Sequence, residues 1–406
     1  MSTDPESPVA VFLARLTKEW VAYSSEGVSL GADVRRIAAA HGAAAEIAVQ
    51  ADGAILSVHE NGRVQTIAVV AEQDITRLDR YSDLRAVIER AKHPDADLEQ
   101  LGDQIGTIAA SPPIYPEWAK GLGIVLFTIG FSVNVQATWK EVWVAALTSS
   151  LVALLVLLGD RIGRVSVLTP FLAAVAVSVT VLSIVDASDS VGGGILLMVP
   201  ALFFFIPGDI LSASMLELAA GRITTGSAQF VNAIFSLLLL YVGIVFGAVL
   251  TGTDGSSLFQ AAADPEFPDI VPWLGWVLFA FGFMLAFSAK MKEFGWVLLV
   301  TLVAFGTQQG GTALFGEVIG TYLAALVMIV AAALIARDPA RPPLMVLALS
   351  AFFVLTVGAL GLEGFTALVS GDEVEGFTDL LKMLTIGLSI ALGILTGAVI
   401  MRRATD

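Results

Sequence analysis

The feature that most constrains this chain is the series of long apolar stretches after Pro116, broken only by short polar joints. Such stretches answer to lipid as the solvent. With no water to satisfy backbone N–H and C=O groups, each crossing segment must be a helix of roughly 20 apolar residues. Composition agrees, because 56% of residues are hydrophobic and only 15% are charged, far from a soluble average. Spans are expected at about 118–136, 141–158, 166–185, 194–207, 227–250, 273–288, 294–309, 314–336, 343–361 and 379–401.

Residues 1–113 hold nearly half of the Lys and Arg and read as a separate α+β domain. Val9, Phe12, Leu13, Leu16 and Trp20 recur at helical spacing, and Leu30, Val34 and Ile37 mark a second helix. The period then changes to two. Ile55 to His59, Glu60-Asn61-Gly62-Arg63 and Val64 to Val70 predict a hairpin, because Asn-Gly fits a type I′ turn. Helices over Ile75 to Lys92 and Leu98 to Ile108 complete the domain, and Ser111-Pro112-Pro113 stops the last one. Residues 1–30 lack a continuous apolar core of the signal-peptide kind, so the domain is expected in the cytoplasm.

Several function classes fall away. A net charge of −15 does not suit nucleic-acid binding. Absence of cysteine removes disulfides, thiolate metal sites and cysteine nucleophiles. His41, His59 and His93 lie at unrelated spacings, so no metal site is expected. The domain shows no Gly-rich phosphate loop and no nucleophile elbow. The spans carry no His and few carboxylates, so neither a cofactor nor an intramembrane hydrolase is expected.

Orientation follows from the positive-inside rule. With the first domain cytoplasmic, inside joints carry Arg161, Arg164, Arg222, Lys290, Lys292, Arg337, Arg341, Arg402 and Arg403, against Lys140 and Lys382 outside. The outside loops 251–272 and 362–378 are acidic, with Asp254, Asp264, Glu266, Asp269, Glu363, Asp372, Glu373 and Glu375. Both termini are then cytoplasmic. The chain also repeats itself. Leu197-Met198-Val199-Pro200-Ala201-Leu202 is echoed by Leu344-Met345-Val346-Leu347-Ala348-Leu349, each in the fourth helix of a five-helix set. An odd number of spans per set makes the halves, 114–250 and 273–406, inverted repeats, as in secondary transporters.

The N-terminal domain, Pro116-Glu117-Trp118, Phe204-Phe205-Ile206-Pro207-Gly208-Asp209 and the stretch from Pro343 to Thr356-Val357-Gly358 together resemble the threonine/serine exporter family. The resemblance covers nearly the whole chain and rests on the order of short motifs. It implies export of threonine and serine across a bacterial inner membrane, driven by the proton gradient. Some relatives are split into two chains and linked to dicarboxylate efflux, so a succinate-like substrate stays open. A dicarboxylate would want cations along its path, and the predicted spans hold no Arg and carry Lys only near their ends, at Lys120 and Lys382. A membrane scaffold or sensor working through the first domain is a third reading. The exposed hairpin edge suits self-association into a homo-oligomer.

Candidate site residues follow from polarity inside the spans. Pro207 and Gly208 break an apolar run, and a half-helix starting at Asp209 would aim its amides at a bound carboxylate, with the Ser212 hydroxyl one turn on. Asp209 then serves as proton carrier or as partner to a substrate ammonium group. Equally, it caps a cytoplasmic amphipathic helix in which Glu217 is solvated. Asn134, Asn232 and Gln308 are amides suited to a zwitterion, or to interhelical hydrogen bonds. Asn232 is preferred because Asn134 and Gln308 lie near span ends. Glu317 is a second candidate protonation site or an interfacial residue. Gly121, Gly123, Gly130, Gly387, Gly393 and Gly397 favour close helix packing.

Overall fold

The computed structural model describes residues 7–23, 27–50, 53–71, 76–136, 138–162, 168–186, 194–219, 221–253, 266–355 and 373–403, with 360–362, 364 and 367. Helix α1 (Pro8–Tyr23) turns its apolar stripe inward, burying Val9, Phe12, Leu13, Leu16 and Trp20. Helix α2 (Gly27–Ala40) adds Leu30, Val34 and Ile37 to the same core. The expected hairpin is β2 (Gly53–Glu60) and β3 (Arg63–Val70). Asn61 and Gly62 between them have φ of 51° and 75°, as a type I′ turn requires.

Strand β1 (Ala44–Gln50) pairs antiparallel with β2 and gives the sheet the order β1-β2-β3. The sequence did not announce it. Its Ala-rich run has little strand propensity of its own, so pairing with β2 supplies what composition does not. Helices α3 (Leu78–Ala91) and α4 (Leu98–Ala110) complete this segment. Asp97 caps α4 by accepting from the amides of Glu99 and Gln100, each at 3.0 Å.

Beyond Pro116 the described chain is helical: α5 (Glu117–Val135), α6 (Trp139–Ile162), α7 (Thr169–Asp186), α8 (Gly194–Leu202), α9 (Gly208–Ala219), α10 (Ile223–Thr251), α11 (Val271–Ala286), α12 (Phe294–Phe315), α13 (Glu317–Ala336), α14 (Leu344–Phe352) and α15 (Glu373–Arg403). Six candidate spans are long and apolar enough to cross a membrane: α5, α6, α10, α12 with the turn before it, α13 and α15. The bent pair α8–α9 makes a seventh if it is one span. The molecule is a multi-pass membrane protein. Helices α7, α11 and α14 are apolar but shorter, so on length alone the expected ten crossings fall to six or seven among the described residues. Asp254, Asp264, Glu363 and Asp372 of the expected acidic loops, Arg164, and Thr356-Val357-Gly358 lie outside the described residues.

Helices α5 and α11 cross so closely that only glycine fits at four points. A Cβ on Gly123 would sit 2.4 Å from the Ala286 amide nitrogen, and one on Gly130 2.3 Å from that of Phe279. Reciprocally, a Cβ on Gly275 would stand 2.8 Å from the Gly130 carbonyl oxygen, and one on Gly282 2.2 Å from the Phe127 nitrogen. Small residues let backbones touch and maximise dispersion where lipid offers no hydrophobic drive.

The N-terminal segment seats on one end of this bundle. The Leu78 amide donates to the Phe287 carbonyl at 3.1 Å, and the Tyr115 hydroxyl to the Ala289 carbonyl at 2.9 Å. Lys290 pairs with Asp83 at 2.5 Å. Arg85 donates to the carbonyls of Ala336 and Arg341, which satisfies acceptors left open where α13 ends. Thr225 donates to the Val49 carbonyl at 3.2 Å, so the start of α10 joins the same face.

Candidate functional site

The span beginning with α8 stops short. Pro200 lies within it, a 3₁₀ turn follows at Phe203–Phe205, and Ile206 is extended at φ −70°, ψ 119°. Pro207 dictates that last conformation, because a residue before proline is pushed out of the helical region. Chain direction then changes by 69° and α9 begins at Gly208. Asp209 sits in the first turn of α9, part-buried, its carboxylate against the amides of its own residue and Ile210. Ser212 is buried one turn on. The break predicted at Pro207, Gly208 and Asp209 is therefore present. At the far end of α9, Glu217 is buried rather than solvated and pairs with Arg222 at 3.2 Å.

Helix α14 ends in the same way, in a 3₁₀ turn at Phe353–Leu355. Between the two turns lies a packed cluster of rings. Phe131 stacks on Phe203 with centroids 3.7 Å apart, Phe127 meets Phe279 at 4.4 Å, and Phe203 meets Phe353 at 5.5 Å. Phe283 and Phe287 extend the cluster, and Trp276 closes it toward α12 through Phe305. All except Phe305 and Phe353 are at most 3% exposed.

On the side of the cluster facing the N-terminal segment, a cavity of 630 Å³ opens beside the break. Phe204 and Phe205 form part of its wall, Tyr115 and Thr76 come from the N-terminal side, and Lys120 and Asp160 from α5 and α6. Ser288 also lines it, held in the left-handed region at φ 51°. That backbone is uncommon for a residue with a side chain, and such strain gathers at functional sites.

None of the predicted site residues lines this cavity; Phe204 and Phe205, just ahead of the break at Pro207, are its nearest approach to them in sequence. Asn134 lies where α5 meets α11, its amide nitrogen donating to the Gly130 carbonyl at 3.0 Å while its buried Oδ1 has no partner. Gln308 bonds Thr321 at 3.5 Å, between α12 and α13. Asn232 faces outward between exposed Val231 and Phe235. Gln229, a turn earlier, is the buried amide of that helix, with Oε1 unpartnered. Glu317 is half exposed and pairs with Lys382 of α15 at 2.8 Å. Gln136, the last residue of the first expected span, is 7% exposed and neither end of its side chain has a partner. Lys120 was missed altogether, because a lysine three residues into a span looks like an interfacial anchor.

Discontinuous spans beside polar cavities recur among membrane proteins that handle small solutes, and this chain has a proline-broken span beside such a cavity. Comparison with known families narrows this: the profile described as "Putative threonine/serine exporter" matches residues 12–251, more than half of the chain. The chain belongs to the threonine/serine exporter family. It is 24% identical over 341 residues to a protein of Mycobacterium tuberculosis (strain ATCC 25618 / H37Rv) named "Probable threonine/serine exporter", a match covering 79% of this chain. The match spans 62% of that relative's length. No solved structure matches the chain.

Proposed function

We propose that the protein exports threonine and serine from the bacterial cytoplasm, driven by the proton gradient and working by alternating access between two inverted five-helix halves. The observation that carries this reading is the broken α8–α9 span, which opens beside a cavity whose wall bears both signs of charge. A discontinuous helix offers backbone groups to a polar substrate without exposing them to lipid. The relative's name supplies the substrate class.

The ten-crossing count follows if α7, α11 and α14 cross as short spans and α8–α9 counts as one. The inverted-repeat arrangement is supported by α5 and α11. Mapping the first helix onto the second takes Gly123 to Gly275 and Gly130 to Gly282. The Gly123–Gly282 contact then becomes the Gly275–Gly130 contact, as a two-fold axis between antiparallel helices requires. The matching 3₁₀ turns after α8 and α14 obey the same relation. Cytoplasmic termini follow from the basic joints, since Lys290, Arg222 and Arg341 all lie at the end of the bundle that carries the N-terminal segment. Asp209 is the proposed proton carrier.

Inside-out vesicles containing the protein test this directly. Gradient-dependent uptake of labelled threonine and serine, competed by either amino acid and not by succinate, is the expected result. Succinate accumulation without amino-acid uptake overturns it. Asp209→Asn is expected to abolish gradient-driven uptake while threonine exchange persists. Uptake with an unchanged pH dependence in that variant would remove Asp209 from the coupling role.

A further inference from the structure

Lys120 and Asp160 meet on the wall of the 630 Å³ cavity, with Nζ 2.7 Å from Oδ2. Lys120 is the more enclosed partner, its side chain 22% exposed against 51% for Asp160. A second pair, Arg161 with Glu117 at 2.5 Å, joins the same two helices. The α5–α6 junction therefore does not depend on Lys120–Asp160 for cohesion. A half-solvated ion pair contributes little to stability. A ligand that brings both charges can part the pair and leave neither partner unmatched. We infer that Lys120 and Asp160 form the first binding station for the amino-acid backbone, Lys120 taking the α-carboxylate and Asp160 the α-ammonium group. This rests on the exporter reading for its substrate class.

The remaining lining explains why a zwitterion is preferred to a dicarboxylate. Arg77 also borders the cavity, but its guanidinium is occupied by both carboxylate oxygens of Asp79 at 2.9 Å and by the carbonyls of Ser111 and Pro112. Asp160 stands against Lys120 and Glu117 borders the same cavity, so a second substrate carboxylate would meet like charge. Thr76, Thr169 and Ser288 place hydroxyls on the same wall, the chemistry that matches a hydroxy side chain.

Equilibrium binding of labelled threonine to the purified full-length protein, with two competitors, tests the assignment. Threonine amide keeps the ammonium group and lacks the carboxylate; 3-hydroxybutyrate keeps the carboxylate and lacks the ammonium. Lys120→Met is expected to weaken threonine about tenfold or more, the loss of one charge-assisted hydrogen bond, and to leave threonine amide unchanged. Asp160→Asn is expected to weaken threonine likewise and to leave 3-hydroxybutyrate unchanged. Variants that bind threonine like the wild type overturn the inference. So do variants that weaken both analogues alike, which is the signature of a purely structural pair, and so does a wild-type protein that binds no threonine. Vesicle flux separates the two claims. Wild type that shows the binding pattern but moves neither amino acid loses the exporter reading and keeps the site. Transport without the pattern does the reverse.

Discussion

Tyr23 is enclosed at the end of α1, donating to Glu19 at 2.9 Å and accepting from Arg80 at 3.0 Å. Burial first, and then the Glu19 carboxylate, push its phenol from 10.0 up to about 12, against the opposing pull of Arg80. A folded-state value above the unfolded one means that the neutral phenol's contribution is whole below pH 10 and is lost as pH rises from 10 toward 12. The N-terminal segment is therefore expected to lose stability across that window. Tyr23→Phe should flatten the loss, as followed by circular dichroism and tyrosinate absorbance. At this scale the sequence was a partial guide. Asn232 and Gln229 were equally visible as amides in an apolar run. Which one faces inward was not, because a span's lipid face is as apolar as its packed face and leaves no periodic contrast.

Helices α5 and α11 illustrate what an element contributes beyond its residues. Gly130→Leu would drive a side chain into the Phe279 backbone and force the helices apart. Overpacking of this kind costs about 1–3 kcal/mol or more. A clear fall in melting temperature of the purified protein is expected, with Gly310→Ala as the neutral control, since nothing lies within 4 Å of that position. Gly123 and Gly130 were legible as packing residues and so were Gly393 and Gly397, whose added Cβ atoms would lie 2.5 Å from the Tyr322 carbonyl and 2.3 Å from Ile329. Their partners Gly275 and Gly282 were not, because which helices meet is a tertiary fact. The same limit hid β1. Its alternation is weak, and it becomes a strand only because β2 offers an open edge. The break at Pro207 was legible for the opposite reason, since proline's restriction is local and needs no neighbour.

For the whole molecule, the seating of the N-terminal segment on the helix bundle is the main feature that sequence periodicity left unread. Every element of that segment was predicted except β1, yet nothing in the pattern told that α3 would face the α11–α12 joint. Asp83 makes that contact through Lys290, while Arg85 reaches the α13–α14 joint at the carbonyls of Ala336 and Arg341. Arg85→Glu combined with Asp83→Lys is expected to loosen the seat. Faster amide exchange in α3 and readier proteolysis at Ser111–Pro116 would register it. Reversing Lys290 to Asp in that background should restore part of the protection, and only part, because the exposed Lys290–Asp83 pair carries less than the capped carbonyls.

The cluster of rings between the two 3₁₀ turns has an electrical consequence. Its inner rings are closed to solvent, so among the described residues they form an apolar layer between the cavity and the rest of the bundle. A membrane that stores energy as an ion gradient tolerates such a protein in many copies only if each is an insulator at rest. A buried layer of stacked phenylalanines suits that requirement. On the proposed exporter reading, such a layer lets the molecule sit idle in an energised membrane without draining it.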